Sequence, residues 1–282
     1  MKIGVAGLGL IGGSMARAFK FYTDNEVFGF DADSATLKRA QLVCAIDGEL
    51  TDGNISECDV VIVALYPEAA VSYITKNADK FKKGAKVIDC CGVKQYVCKP
   101  CFKAAKEHGF VYYGGHPMAG TQFSGFQYAK ETLFKNASMI IVPENTDDVC
   151  GLEEIRRIFT SIGFSSIKVT DAETHDRMIA YTSQLAHVVS NAYVKSPNSQ
   201  LHKGFSAGSF KDLTRVAKLN EDMWTELFLE NKEFLAEEID HITEELKKYS
   251  DAIKAEDAKT LRQLLKEGRI AKENSDKLIE NK

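Results

Sequence analysis

Lys2-Ile3-Gly4-Val5-Ala6-Gly7-Leu8-Gly9-Leu10-Ile11-Gly12-Gly13-Ser14 opens the chain after Met1. Five residues of strand character run straight into a G-x-G-x-x-G turn, and Met15-Ala16-Arg17-Ala18-Phe19 continues in a helical pattern. Each glycine has its own reason to be there. Gly7 permits the tight turn, Gly9 lets a pyrophosphate approach the backbone, and Gly12 lets the helix pack close to the strand. The helix start then faces the phosphates with unpaired N–H groups. A second strand, Glu26-Val27-Phe28-Gly29-Phe30, ends on Asp31, which lies 19 positions after Gly12. An acidic residue there takes the ribose hydroxyl of NAD and repels a 2′-phosphate. Gly7, Leu8, Gly9, Leu10, Ile11, Gly12 and Asp31 are therefore the expected cofactor-binding residues of this turn.

Outward from this unit the alternation of strand and helix continues. Val60-Val61-Ile62-Val63-Ala64-Leu65 is wholly apolar, as a strand buried on both faces requires. Leu65, at its carboxyl end, is expected beside the cofactor. Pro67 suits a helix start and Glu68 to Lys80 the helix itself. Lys86 to Asp89 reads as a strand, Gln95 to His108 as a helix closed by Gly109, and Phe110 to Tyr113 as a strand. Met139 to Val142, a helix over Asp147 to Ser161, and Ser166 to Val169 complete the series. This alternation predicts an α/β, Rossmann-type, doubly wound parallel sheet over residues 1–170. Ligands of such sheets lie at the carboxyl ends of the strands. The strand at Phe110 delivers Gly114-Gly115-His116-Pro117-Met118-Ala119-Gly120-Thr121 there. A histidine pinned in a glycine-lined loop suits a general base, because its charge changes near neutrality.

Past Asp171 no further strand is expected, and residues 171–282 read as an all-α domain for substrate binding and dimerisation. Asp171 to Lys195 reads as one long buried helix, on which Ser183 and His187 share a face at a spacing of four. Arg215 lies in a helix-like stretch after a glycine-rich approach, and arginine grips carboxylates through paired hydrogen bonds. Asn220 is a good N-cap for a second long helix to about Lys254. Within it Phe228, Leu235, Ile239, Ile242, Leu246, Tyr249 and Ile253 form a heptad seam, suited to packing inside the domain or against a second copy. Glu256 to Lys282 reads as a charged terminal helix.

A net charge of −4 gives no basic footprint for nucleic acid. No apolar run reaches membrane-spanning length and no signal peptide is evident, so the cytoplasm is the expected compartment. Seven cysteines, an odd number, do not suggest a disulfide framework. Cys90, Cys91, Cys98 and Cys101 are near one another, but a zinc site needs four converging ligands, and two of these end a strand while two lie on the next helix. They are expected as packing residues, with no metal bound.

Three motifs in this order resemble the prephenate/arogenate dehydrogenases of tyrosine biosynthesis, over nearly the whole length. They are Gly-Gly-His-Pro-Met-Ala-Gly-Thr at 114–121, Ser183-Gln184-Leu185-Ala186-His187, and Phe210-Lys211-Asp212-Leu213-Thr214-Arg215-Val216-Ala217 ahead of Trp224. The resemblance implies oxidative decarboxylation of prephenate to 4-hydroxyphenylpyruvate with NAD, in a homodimer. It implies that His116 takes the ring hydroxyl proton and that Arg215 binds a substrate carboxylate. Ser183 and His187 would contact the side-chain end, with Thr121 beside the substrate and Trp224 near the pocket wall. No residue here separates the keto substrate from its amino counterpart. Where many relatives carry D-x-G-S-V-K, this chain has Asp89-Cys90-Cys91-Gly92-Val93-Lys94. Gly92 stands in the position of a serine that supports the histidine or contacts the nicotinamide, so the Cys91 thiol or a water is the expected substitute. Gln122 replaces an acidic residue that relatives often carry, and no C-terminal regulatory domain is expected. The nearest competing assignment, a β-hydroxyacid-type dehydrogenase, places a lysine or a Ser/Thr pair at the chemistry. A dinucleotide sensor without turnover has no use for His116, His187 and Arg215 together.

Overall fold

The computed structural model describes residues 1–121 and 123–280. Strands β1 (Lys2–Ala6), β2 (Glu26–Phe30), β3 (Gly48–Glu49), β4 (Val60–Val63), β5 (Lys86–Asp89), β6 (Val111–Pro117), β7 (Ser138–Pro143) and β8 (Ser166–Val169) form one sheet. Their order across it is β3-β2-β1-β4-β5-β6-β7-β8. Helices α1 (Leu10–Tyr22), α2 (Ser34–Leu42), α3 (Pro67–Lys76), α4 (Gln95–His108) and α5 (Val149–Ser161) connect them. β4 lies in the middle with all four residues buried. Each such side chain withdrawn from water contributes about 1.5–3 kcal/mol, and cover on both faces is what a central parallel strand demands. The core accordingly has two apolar clusters, one around Ile3, Val5, Met15 and Phe159, the other around Val61, Val63, Ile74 and Val97.

The Rossmann-type sheet is confirmed, with one change of direction. The pairs from β3 through β6 are parallel, but β7 runs antiparallel to β6, with His116 opposite Ile140, and β8 is parallel to β7. A parallel pair needs a crossover, usually a full helix. Among its described residues the segment between β6 and β7 contains only a short turn of 3₁₀ helix, Phe126–Tyr128, so the chain returns beside the strand it has just left. The short β3 had no run of β-branched residues to announce it.

After β8 the described chain is helical: α6 (Ala172–Ile179), a π-helical stretch (Ala180–Gln184), α7 (Leu185–Tyr193), α8 (Gly208–Thr214), α9 (Glu221–Glu230), α10 (Lys232–Lys254) and α11 (Ala258–Glu280). Two expected long helices are therefore interrupted. Between Asp171 and Lys195 the hydrogen-bonding pattern widens at Ala180–Gln184, and the helix expected from Asn220 to Lys254 breaks at Asn231. One buried network accounts for both. Asn231 Nδ2 donates to the Asp176 carbonyl at 2.9 Å and to Gln184 Oε1 at 2.7 Å, and Gln184 Nε2 donates to the Leu227 carbonyl at 3.1 Å. Buried amides must find partners, and the altered helix geometry lets these two find each other. The break also removes Phe228 from the heptad seam, which on α10 begins at Leu235.

The chain divides into two compact units, Met1–Lys232 and Glu233–Lys282. The first holds the sheet and the helices through α9. The second contains α11 and α10 from Glu233 onward, where the Tyr249 hydroxyl donates to the Leu264 carbonyl at 3.2 Å. In it Leu246, Ile253, Leu265 and Ile270 are exposed. No helix of the described residues is long and apolar enough to cross a membrane.

Candidate active site

The Gly-rich turn is built as its spacing demands. Gly7 has φ +89°, and a Cβ on Gly12 would lie 1.9 Å from the Gly7 carbonyl oxygen. No side chain is tolerated there without parting α1 from β1. Around Gly9, by contrast, a Cβ would meet nothing within 4 Å, so the space over this residue is open to a ligand. Gly9 is also the N-cap of α1, without a side-chain cap, and the first turn carries no acidic residue. Open space, free backbone N–H groups and the helix dipole together fit a pyrophosphate. Asp31, at the end of β2, accepts hydrogen bonds from the Leu8 N–H at 2.8 Å and the Asp33 N–H at 2.9 Å. The carboxylate thus pins the turn and retains lone pairs for a ribose hydroxyl. The Leu65 side chain lies against Gly7. These residues fit a dinucleotide.

Beyond β5 the chain is tied down by a buried ion pair. Asp89 accepts from the Gly115 N–H at 3.0 Å, the Tyr112 hydroxyl at 2.6 Å, the Cys91 N–H at 2.8 Å and the Lys94 ammonium. Lys94 donates in addition to the Gly115 carbonyl at 2.6 Å. Both side chains are wholly buried. A charge removed from water is tolerated only when paired and hydrogen-bonded, and here each partner of the ion pair also holds the backbone of Gly115, the residue before His116. Gly115 itself admits no side chain, since a Cβ would lie 2.3 Å from the Asp89 carbonyl oxygen. The base candidate is fixed from beneath.

His116 is held from the side by two residues absent from the sequence-based set. Its Nδ1 lies 2.9 Å from His175 Nε2, and His175 Nδ1 lies 2.7 Å from Asp176 Oδ1. Asp176, wholly buried, also receives the Lys94 N–H at 2.7 Å and the Gln95 N–H at 2.8 Å, at the start of α4. These partners assign the protons. An ionised carboxylate only accepts, so His175 Nδ1 carries hydrogen and its Nε2 is an acceptor. His116 Nδ1–H then donates to that acceptor, and His116 Nε2 is left with its lone pair. Burial, His175 and Lys94 hold the His116 imidazole well below its ordinary pKa, so it is neutral at neutral pH. In the sequence the two are only a histidine next to an aspartate within a helical stretch, with no local feature that places them beside β6.

The thiol expected to stand in for the missing serine does not do so. Cys91 Sγ is turned to the Leu65 carbonyl at 3.5 Å, and burial raises its pKa well above the ordinary thiol value. Cys98 and Cys101 are buried packing groups, and no cluster of three or more His, Cys, Asp or Glu side chains among the described residues is placed to hold a metal. At Gly92 a Cβ would sit 3.4 Å from Leu227 Cδ2 and 4.0 Å from His116 Cε1, so Leu227 of α9 and His116 border the same space.

From Leu227 the wall continues along α9. Trp224 stacks on His187 with ring centroids 3.9 Å apart, and the field of Arg215 reaches that imidazole. His187 Nδ1 donates to the Ser183 carbonyl at 2.9 Å. Ser183, His187, Arg215 and Trp224 are thus brought together, and α9 joins them to Gly92 and His116. Arg215 is exposed and forms no ion pair among the described residues. The Thr121 hydroxyl is engaged with the Phe123 backbone at 3.2 and 3.3 Å. Gln122 lies outside the described residues. The loop after His116 folds back onto α1, where the Lys130 N–H donates to Ser14 Oγ at 3.0 Å and Phe126 packs over Gly13. The histidine loop and the Gly-rich helix are therefore one packed assembly.

Comparison with known proteins matches residues 15–168 to the family model for the nucleotide-binding domain of prephenate dehydrogenase, and residues 171–267 to that for its dimerization domain. A cyclohexadienyl dehydrogenase of Zymomonas mobilis is 31% identical over 96% of this chain and 94% of its own length. A prephenate dehydrogenase of Bacillus subtilis is 29% identical over 91% of this chain and 71% of its own. The crystal structure of a prephenate dehydrogenase from A. aeolicus, in complex with hydroxyphenyl propionate and NAD+, superposes with a TM-score of 0.85 at 26% identity, covering 97% of this chain and 98% of that one.

Proposed function

The chain belongs to the prephenate dehydrogenase family, and from that premise we propose how its residues carry out the reaction. It is an NAD-dependent oxidoreductase that converts prephenate to 4-hydroxyphenylpyruvate with loss of carbon dioxide. The observation that carries the assignment of roles is the free Nε2 lone pair of His116, which the His175–Asp176 pair behind it produces. His116 takes the proton of the substrate's ring hydroxyl, for which a neutral imidazole is the right base near neutrality. His175 steadies the imidazole and receives its Nδ1–H bond. Asp176 fixes the His175 tautomer and offsets the charge that develops on the pair. Asp89 and Lys94 hold the strand end still.

Gly7, Leu8, Gly9, Leu10, Ile11, Gly12 and Asp31 hold NAD, with Leu65 and Gly92 lining the way to the base. Bound there, NAD supplies the acceptor for the hydrogen on the hydroxyl-bearing carbon. Arg215 grips a substrate carboxylate through its planar fork. Ser183, His187 and Trp224 receive the side-chain end, and Thr121 lies beside the substrate. Aromatisation drives the departure of carbon dioxide, so the protein has mainly to position the substrate and remove one proton.

Residues 1–170 form the cofactor domain and 171–282 the substrate and dimerisation domain in this reading. The exposed Leu246, Ile253, Leu265 and Ile270 support a homodimer through α10 and α11, and the cytoplasm is the compartment proposed. The test is NAD reduction by the purified protein with prephenate and with arogenate, and with NADP as control. Turnover with NAD, and much less with NADP, is the outcome expected; no turnover of either substrate would overturn the assignment.

A further inference from the structure

His187 presents a hydrogen-bond acceptor, and this follows from one contact. A backbone carbonyl only accepts, so the 2.9 Å contact between His187 Nδ1 and the Ser183 oxygen places the proton on Nδ1. The neutral ring then has a lone pair at Nε2, and no hydrogen bond of the described residues occupies it. Stacking on Trp224 holds the ring plane, and the Nδ1–H bond to the Ser183 carbonyl fixes which edge of the ring carries Nε2.

The position of this acceptor is set by α9. Leu227 borders Gly92 and His116. Trp224 lies three residues earlier on the same helix, about 4.5–5 Å along its axis, and His187 lies against Trp224. The reading rests on the reaction assigned above. In it the substrate hydroxyl meets His116, and the substituents at the far end of the six-membered ring extend along this wall. The two substrates of the family differ there and only there. One has a keto oxygen, which accepts; the other has an ammonium, which donates.

We propose that His187 selects between the amino-bearing and the keto-bearing substrate through its own protonation: the neutral ring accepts from the ammonium, and the imidazolium donates to the keto oxygen. Two influences act on the ring in opposite senses. Burial and the Arg215 cation favour the neutral form, lowering its pKa from the ordinary histidine value. The Ser183 carbonyl and the indole face of Trp224 favour the imidazolium. Arg215 is the charged group whose field reaches the ring. Lys211 and Asp212 of α8, and Glu221, Asp222, Glu226 and Glu230 of α9, are the other charged groups on the elements packed around it.

The ratio of kcat/KM for arogenate to that for prephenate isolates this residue, because the titration of His116 enters both and cancels. If one form of the ring serves each substrate, the ratio follows neutral over protonated His187 and rises about tenfold per pH unit. The experiment measures both constants with NAD from about pH 6 to pH 8, in the native enzyme and in His187→Gln, whose amide both donates and accepts and does not titrate. The expected result is a steep rise in the native enzyme and a flat ratio, with both substrates turned over, in the variant. His187→Asn serves the same purpose if the glutamine variant does not fold. A flat ratio in the native enzyme overturns the proposal. So does a pH-dependent ratio that survives in the variants, or exclusive use of one substrate at every pH. Absence of turnover with both substrates in the native enzyme overturns the reaction itself.

Discussion

Two histidines are linked by helix α9, which touches the surroundings of one through Leu227 and stacks on the other through Trp224, and the structure prepares them in different ways. His116, at the carboxyl end of β6, passes its Nδ1–H to a second ionisable ring and through it to a buried carboxylate. His187, on the helical wall, passes its Nδ1–H to a backbone carbonyl, which ends the chain. Both rings expose Nε2. Only the first has behind it a group that balances positive charge as a proton arrives, which is what a base needs. The second has an indole face and a nearby arginine, which suit recognition of a substrate group. Position on one wall or the other therefore decides which imidazole does chemistry.

The contrast breaks most directly at His116. His116→Asn removes the lone pair and keeps a polar group of similar reach, so turnover should fall by about 10²–10⁴-fold. Affinity for NAD, measured by fluorescence or calorimetry, should be unchanged, since the Gly-rich turn and Asp31 are untouched. His187→Asn should affect KM far more than kcat. A comparable loss of kcat in both variants would show that the two walls are not divided as described.

The next effect belongs to His175. His175→Gln leaves an amide oxygen to receive the His116 N–H but severs the path to Asp176, so kcat should fall roughly tenfold to a hundredfold with KM nearly constant. The pH profile distinguishes this from a loss of packing. Protonated His116 cannot act as a base, so activity falls as pH drops through its pKa, which burial, His175 and Lys94 place well below the ordinary value. Without His175 one of these influences is gone, and the acid limb of kcat/KM should move to higher pH. An acid limb in the same place would remove His175 from the control of His116.

How much of this was legible in the chain follows the same division. Gly7 and Gly12 declared themselves, because a positive φ and a 1.9 Å approach leave no other residue possible. His116 declared itself through the glycines that bring β5 and β6 together. His175 did not. It lies within an amphipathic helix, and nothing in Thr174-His175-Asp176 shows that the helix presents this ring to the end of β6. Asn231 and Gln184 were equally silent, since neither is a strong helix breaker and their effect arises only when both are buried against each other. Local signals reported what the backbone cannot avoid; contacts between distant elements had no local signal.

Arg215 tests the recognition wall with a smaller effect. Arg215→Lys keeps the charge and loses the planar fork, so KM for prephenate should rise about tenfold with little change in kcat. Because Arg215 also opposes protonation of His187, the lysine variant should retain the pH dependence of substrate choice. An unchanged KM would remove Arg215 from the substrate's surroundings and leave the dianion without its main cation.

The smallest effect is expected at Gly92, where this chain lacks the serine of its relatives. The backbone there needs no positive φ, and a Cβ would be at ordinary contact distance from Leu227. Gly92→Ser should therefore fold as the native protein does. Its hydroxyl would approach His116 from the Cε1 side, where both nitrogens are already assigned, Nδ1 to His175 and Nε2 to the substrate. With no vacant nitrogen to support, the serine should change kcat by less than about threefold. An increase of tenfold or more would mean that the histidine pair leaves His116 imperfectly aligned and that a hydroxyl supplies what is missing. The histidine of β6 would then depend on the wall beside it, and the separation between the two imidazoles would be one of degree.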